Sequence, residues 1–110
     1  MTLTDKEKVR KALAKITKII DQYESWNEDP DVIKDFKEIR NMLSDNTSND
    51  EVKIKRALSK IYEQLTSLLG SVGAYDTISD FKKVKKILGV IPEFEERYQI
   101  FVRKSRDWAS

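Results

Sequence analysis

The chain has no cysteine and no histidine, and its 110 residues include only 3 glycines and 2 prolines. Without cysteine there is no disulfide framework, no thiolate nucleophile, no iron–sulfur cluster and no zinc ribbon. Without histidine there is no imidazole base, no histidine-ligated zinc and no histidine pH switch. Ser-His-Asp and Cys-His catalysis are thereby excluded, as are helical nucleases and nucleotidyl-transfer partners built on an Arg-to-His motif. A metal would have to be held by carboxylates and carbonyls, which restricts it to Mg²⁺, Mn²⁺ or Ca²⁺. Long apolar runs are also missing. The longest, counting glycine as apolar, is Ile87-Leu88-Gly89-Val90-Ile91, far short of a membrane span. The opening Met1-Thr-Leu-Thr-Asp-Lys-Glu-Lys lacks the apolar core of a signal peptide, so a cytoplasmic location is expected.

What the sequence does have is helical periodicity. Apolar residues make up 39% and charged residues 36%, the balance of a soluble helix-rich domain. Thr4-Asp5-Lys6-Glu7 reads as a capping box. Behind it Val9, Leu13, Ile16, Ile20 and Tyr23 recur at spacings of 4, 3, 4 and 3, one face of a helix over about 4–25. Trp26 falls where the chain turns. Asp29-Pro30 suits an N-cap followed by the first helical position, and Val32, Ile33, Phe36, Ile39 and Leu43 form the next stripe. The polar run Ser44–Asp50 ends that helix, and Ser48 with Glu51 forms a second candidate capping box. Ile54, Leu58, Ile61, Leu65 and Leu68 then mark a helix over about 50–69, with Gly70 as its stop.

A Gly-containing loop is expected over 70–77. Asp76 or Thr77 can cap a shorter helix carrying Ile78, Phe81, Val84 and Leu88, which Gly89 ends. Pro92 opens a last helix with Phe94, Tyr98, Phe101, Ser105 and Trp108 on its stripe. No useful stretch alternates with period 2, and there is no internal repeat. The expected fold is all-α, one domain over 1–110, a bundle of four to five helices with antiparallel neighbours.

Near-neutrality, a net charge of +2, hides an uneven distribution. Residues 1–20 carry a net +4, residues 21–51 a net −7, residues 52–80 a net +1 and residues 81–110 a net +4. The acidic block includes Asp21, Glu24, Glu28, Asp29, Asp31, Asp35 and Glu38. Acids at a helix start complement its dipole, so a solvated face accounts for the block. The same block also offers a surface to a basic partner, which it would steer. The run Lys82-Lys83-Val84-Lys85-Lys86, with Arg97, Arg103, Lys104 and Arg106, invites a nucleic-acid reading. Lysines that flank the buried stripe of a short helix account for it equally simply. Trp26, Tyr75 and Trp108 lie at element ends or in loops and are the aromatics best placed to serve as exposed anchors.

Gly70-x-x-Gly73 is too short for a dinucleotide fingerprint and lacks the Gly-Lys-Ser/Thr of a P-loop. The segment Gly70-Ser71-Val72-Gly73-Ala74-Tyr75-Asp76-Thr77-Ile78 resembles a loop found in a group of small bacterial all-helical proteins. That loop reads roughly Gly-Gly-Met-Gly-Ser-Leu/Phe-Asn-Asp-Leu after a long helix. Gly70 and Gly73 match it. Val72, Ala74, Tyr75, Asp76 and Ile78 are similar in kind, and Ser71 and Thr77 depart. Some members look like immunity proteins, so the resemblance implies a non-catalytic role.

The remaining acidic groupings, Asp76 with Asp80 and the Glu93, Glu95, Glu96 cluster, offer too few ligands for a protein-only Ca²⁺ site. The expectation is therefore a cofactor-free, non-catalytic protein-binding module, immunity- or antitoxin-like, monomeric or homodimeric. Its candidate interface is Trp26, Glu28, Asp31, Asp35, Glu38, Tyr75 and Asp76, facing a protein partner such as a basic toxin. The alternative is a nucleic-acid-associated helical protein using 82–106.

Overall fold

The computed structural model describes the backbone of residues 3–27, 29–69 and 74–109, and side chains as far as Lys104. Glu28, Gly70–Gly73 and the side chains of Ser105 and Trp108 lie outside the described residues. Five helices follow one another: α1 (Asp5–Ser25), α2 (Pro30–Leu43), α3 (Asp50–Ser67), α4 (Tyr75–Leu88) and α5 (Pro92–Ala109). The described residues contain no strand.

Local chemistry explains where most of the helices start and stop. The Thr4 hydroxyl oxygen accepts from the Glu7 N–H at 3.2 Å and donates to the Glu7 carboxylate at 3.0 Å. This is a capping box closed through the side chains. Asp29 accepts from the Asp31 N–H at 2.9 Å, and Pro30 takes the first helical position. At α3 the cap is Asn49, not the expected Ser48. The Asn49 backbone is extended and its side-chain oxygen accepts from the Val52 N–H at 2.9 Å. Ser48 is engaged elsewhere, donating to Asp45 and accepting from Arg56.

Helix α4 also starts earlier than expected. It begins at Tyr75 with Ala74 at the cap position and no side-chain capping bond. Asp76 and Thr77 therefore lie inside the first turn, where the carboxylate complements the helix dipole. Gly89 ends α4 at φ +99°, a backbone conformation that only glycine adopts without strain.

The apolar stripes meet in one core. Ala12, Ile16, Ile19, Ile20 and Tyr23 of α1 pack with Phe36, Ile39 and Leu43 of α2. Ala57, Leu58, Ile61 and Leu65 of α3 join Phe81, Val84 and Leu88 of α4. At its centre the Phe36 and Phe81 rings stack at 4.3 Å, and Tyr23 meets Phe36 edge-on at 5.6 Å. Helices α1 to α4 run alternately up and down. α1 and α3 each border α2 and α4 and meet across the diagonal.

α5 packs on the outer side of α3. Its one described buried residue is Tyr98, with Phe94 and Val102 half-buried beside it. The Cα radius of gyration, 14.3 Å, exceeds the roughly 13 Å of a compact domain of about this length, as an appended fifth helix requires. No described helix is long and apolar enough to cross a membrane.

Candidate functional site

The alternating topology brings the C-terminal end of α1, the N-terminal end of α2 and the N-terminal end of α4 to one end of the bundle. Tyr23 organises that end. It is buried, and its hydroxyl donates to Asp80 of α4 at 2.5 Å. Burial, reinforced by the bond to Asp80 and by the charges of Asp80 and Asp76, pushes the Tyr23 phenol well above its ordinary value. Asp80 also meets Lys83 at 3.6 Å. The indole of Trp26 stacks on Tyr23 at 6.1 Å, yet remains 54% exposed.

On α4, Asp76 lies one turn before Asp80 and is exposed, and Tyr75 beside it is 89% exposed. Tyr75 thus stands out from the bundle instead of packing against it. Asp31, in the first turn of α2, is exposed as well. Four of the candidate interface residues, Trp26, Asp31, Tyr75 and Asp76, therefore share one end of the molecule.

Asp35 and Glu38 lie elsewhere, further along α2 against α3. Both reach Lys60, at 3.6 and 3.1 Å. The Gln64 amide, placed with its nitrogen 3.1 Å from Asp35 and its oxygen 3.3 Å from Lys60, completes the cluster. Burial raises the Asp35 carboxyl above its ordinary value, and Lys60 opposes that shift without cancelling it. Burial alone would lower the Lys60 ammonium, but the bond to Glu38 and the two carboxylate charges raise it. This group is a partly exposed ion cluster joining α2 to α3.

The basic segment divides too. Lys82, Lys83 and Lys86 are exposed on α4 and, with Tyr75, Ile78 and Ser79, line a shallow depression of about 420 Å³. Lys85 turns inward, with 17% of its side chain exposed, and meets Glu95 of α5 at 3.2 Å. Its ammonium sits 5.2 Å from the Tyr62 ring centre and 5.7 Å from that of Tyr98, close enough for cation–π attraction. The Tyr62 hydroxyl donates to the same Glu95 carboxylate. This bond, helped by Gln99 and Lys85, holds the Glu95 carboxyl below its ordinary range against the opposing effect of burial.

Sequence reasoning missed this trio and the adjoining groove. The groove, about 460 Å³, lies between α3 and α5 and is lined by Tyr62, Thr66, Phe94, Arg97, Tyr98 and Phe101 among others. Phe94, Tyr98 and Phe101 were legible as a stripe. That the stripe would be only partly covered depends on how α5 sits on α3, for which the sequence holds no local signal.

Among the described residues no group of three or more acidic side chains is arranged to hold a metal ion. What the end of the bundle presents is two accessible π faces with the carboxylates of Asp31 and Asp76, and, on the Tyr75 side, the lysine face of α4. No family model, curated protein or solved structure matches the chain.

Proposed function

We propose that this protein is a non-catalytic protein-binding module that acts in the cytoplasm as an immunity- or antitoxin-like protein, neutralising a basic partner by direct contact. The observation that carries the reading is the exposure of two large aromatics, Trp26 at 54% and Tyr75 at 89%, at the end of the bundle that also displays Asp31 and Asp76. Exposed aromatics within a charged rim are the usual anchors of a protein interface. Carboxylates around them speed the approach of a cationic surface. The likeness of the Gly70–Ile78 segment to the loop of the small bacterial helical proteins supports the same reading.

The direct test is an affinity capture of the tagged chain from its native cells at moderate salt, read by mass spectrometry and by ultraviolet absorbance. A stoichiometric basic protein is expected. The variant pair Trp26→Ala and Asp31→Lys/Asp76→Lys should lose it while keeping the helical circular dichroism of the parent. Asp35 and Glu38 are left intact because they pair with Lys60 and join α2 to α3. Retention of the partner by both variants would remove the assignment of this surface.

One observation favours a second reading. Tyr75, Lys82, Lys83 and Lys86 share a single face of α4, the combination of ring and cations that binds single-stranded nucleic acid. That reading predicts recovery of nucleic acid in the same capture, with affinity falling steeply as salt is added. Salt-insensitive binding, or none at low salt, would dismiss it.

A further inference from the structure

We propose that the outer face of α5 is a self-association surface, on which a second copy of this chain docks its own α5 in antiparallel orientation. α5 has two faces. One carries Phe94, Tyr98 and Val102 and packs on the bundle. The other carries Glu93, Glu96, Arg97, Ile100, Phe101 and Lys104, all exposed. These positions follow the helical spacing of a single stripe. Its centre is apolar, with Ile100 46% and Phe101 45% exposed. Phe101 also forms one wall of the groove between α3 and α5, so the apolar patch continues into a concavity able to receive a side chain.

The charge order along α5 selects the occupant. Glu93 and Glu96 stand at the N-terminal end of the exposed face and outnumber Arg97 beside them, and Arg103 and Lys104 stand beyond the apolar centre. The third acid, Glu95, is already committed to Lys85 and Tyr62 within the chain. A second α5 laid antiparallel brings the net-acidic end of each copy, Glu93 and Glu96 with Arg97, against the basic end of the other, while Ile100 and Phe101 meet near the two-fold axis. A parallel arrangement sets like charges together, which is destabilising. The surface is thus self-complementary in the sense a two-fold dimer requires, with the same patch serving both copies. Phe101 of each copy enters the Tyr62–Phe94–Tyr98 groove of the other. None of these residues belongs to the Trp26–Tyr75 surface, so the dimer and the proposed partner contact are independent.

Sedimentation equilibrium on the full chain, at loading concentrations up to about 1 mM, tests the proposal. The parent chain is expected to move toward twice its 12.9 kDa mass as concentration rises. Phe101→Ser should weaken association about tenfold or more. Two charge variants then test the orientation. Glu93→Lys/Glu96→Lys makes the exposed face basic throughout, and Arg103→Glu/Lys104→Glu makes it predominantly acidic, with Arg97 its one remaining described cation. Each should be monomeric alone, and an equimolar mixture should recover a dimer. All the substituted side chains are exposed, and circular dichroism confirms that each variant folds. A parent chain that stays at 12.9 kDa throughout overturns the proposal. So does a dimer indifferent to Phe101→Ser and to both charge variants, or a pair of variants that each lose the dimer but do not associate when mixed.

Discussion

Two tyrosine–carboxylate bonds hold helices together in this molecule, and they do so in different settings. Tyr23 of α1 donates to Asp80 of α4, and Tyr62 of α3 donates to Glu95 of α5. The first bond sits above an aromatic stack in which Tyr23, Phe36 and Phe81 are almost wholly buried. Its cation, Lys83, is peripheral, with 55% of its side chain exposed. The second bond lies at the seam between the four-helix bundle and an appended helix. Its cation, Lys85, is 17% exposed and sits over two rings. The same pairing is therefore a finishing touch on a packed core in one place and a main attachment in the other. Where dispersion and burial are plentiful a polar bond adds little, and where they are scarce it decides whether an element stays docked.

The largest expected effect breaks the first region at its core. Phe36→Ala removes a ring with no exposed surface that touches Tyr23 and Phe81. A loss of about 3–5 kcal/mol is expected, because neighbouring helices cannot collapse into the space. Thermal unfolding followed by circular dichroism should show one transition at a much lower temperature, with α1 to α4 melting together. Phe94→Ala, at a half-buried site on α5, should cost much less and leave the bundle transition nearly in place.

Next comes the attachment of α5. Glu95→Gln removes the countercharge of Lys85 and weakens the bond from Tyr62. A cost of about 1–3 kcal/mol is expected, and it should be local. Amide exchange along α5 should accelerate while protection in α1 to α4 is retained. Uniform acceleration in all five helices would show that α5 is part of the cooperative unit and that the contrast between the two bonds is wrong.

Much of this division was legible in the sequence, and its limits are physical. Val9, Ile16, Ile20 and Tyr23, like Phe36, Ile39 and Leu43, are buried where helical spacing puts them, because a stripe depends only on the 3.6-residue repeat. The break at Gly89 was legible for the same local reason. Trp26 and Tyr75 could be singled out because they fall outside the stripes, although the extent of their exposure is a tertiary fact. The pairings that join helices were not legible. Tyr23 and Asp80 are 57 residues apart, and Tyr62 and Glu95 are 33 apart. Such contacts depend on helix rotation and axial register, which no short window encodes. The retirement of Asp35 and Glu38 into a cluster with Lys60 belongs to the same class. The cap at Asn49 was missed at shorter range: Ser48 and Asn49 are both good caps, and the structure chooses between them by giving Ser48 other partners.

Acid sharpens the comparison. Glu95 has its folded value held below the ordinary glutamate value of 4.5. Its contribution is therefore complete above that ordinary value and is lost as pH falls through the depressed folded value. Asp35 runs the other way. Its folded value is raised above 3.8, so ionisation costs stability at neutral pH and protonation relieves that cost as pH falls through the raised value. Acid titration followed by amide exchange should thus loosen α5 while the α2–α3 contact at Lys60 holds. In Glu95→Gln the acid limb of α5 protection should flatten. An unchanged acid limb would mean that Glu95 does not control the docking of α5.

The smallest effect separates the two lysines. Lys83→Met removes a cation 3.6 Å from Asp80 with more than half of its side chain in water. Exposed ion pairs at this spacing contribute about 0.5 kcal/mol or less, and Asp80 keeps its bond from Tyr23. Lys85→Met removes a cation that Glu95, Tyr62 and Tyr98 all face. The methionine chain can still cover the two rings, so the change isolates the charge from the packing. Urea unfolding should place Lys83→Met within error of the parent. Lys85→Met should speed exchange in α5 by less than Glu95→Gln does, because Glu95 retains the Tyr62 hydroxyl and the Gln99 amide. If the two lysine variants behave alike, the burial of Lys85 is incidental and the docking of α5 rests on Phe94, Tyr98, Val102 and the Tyr62–Glu95 bond.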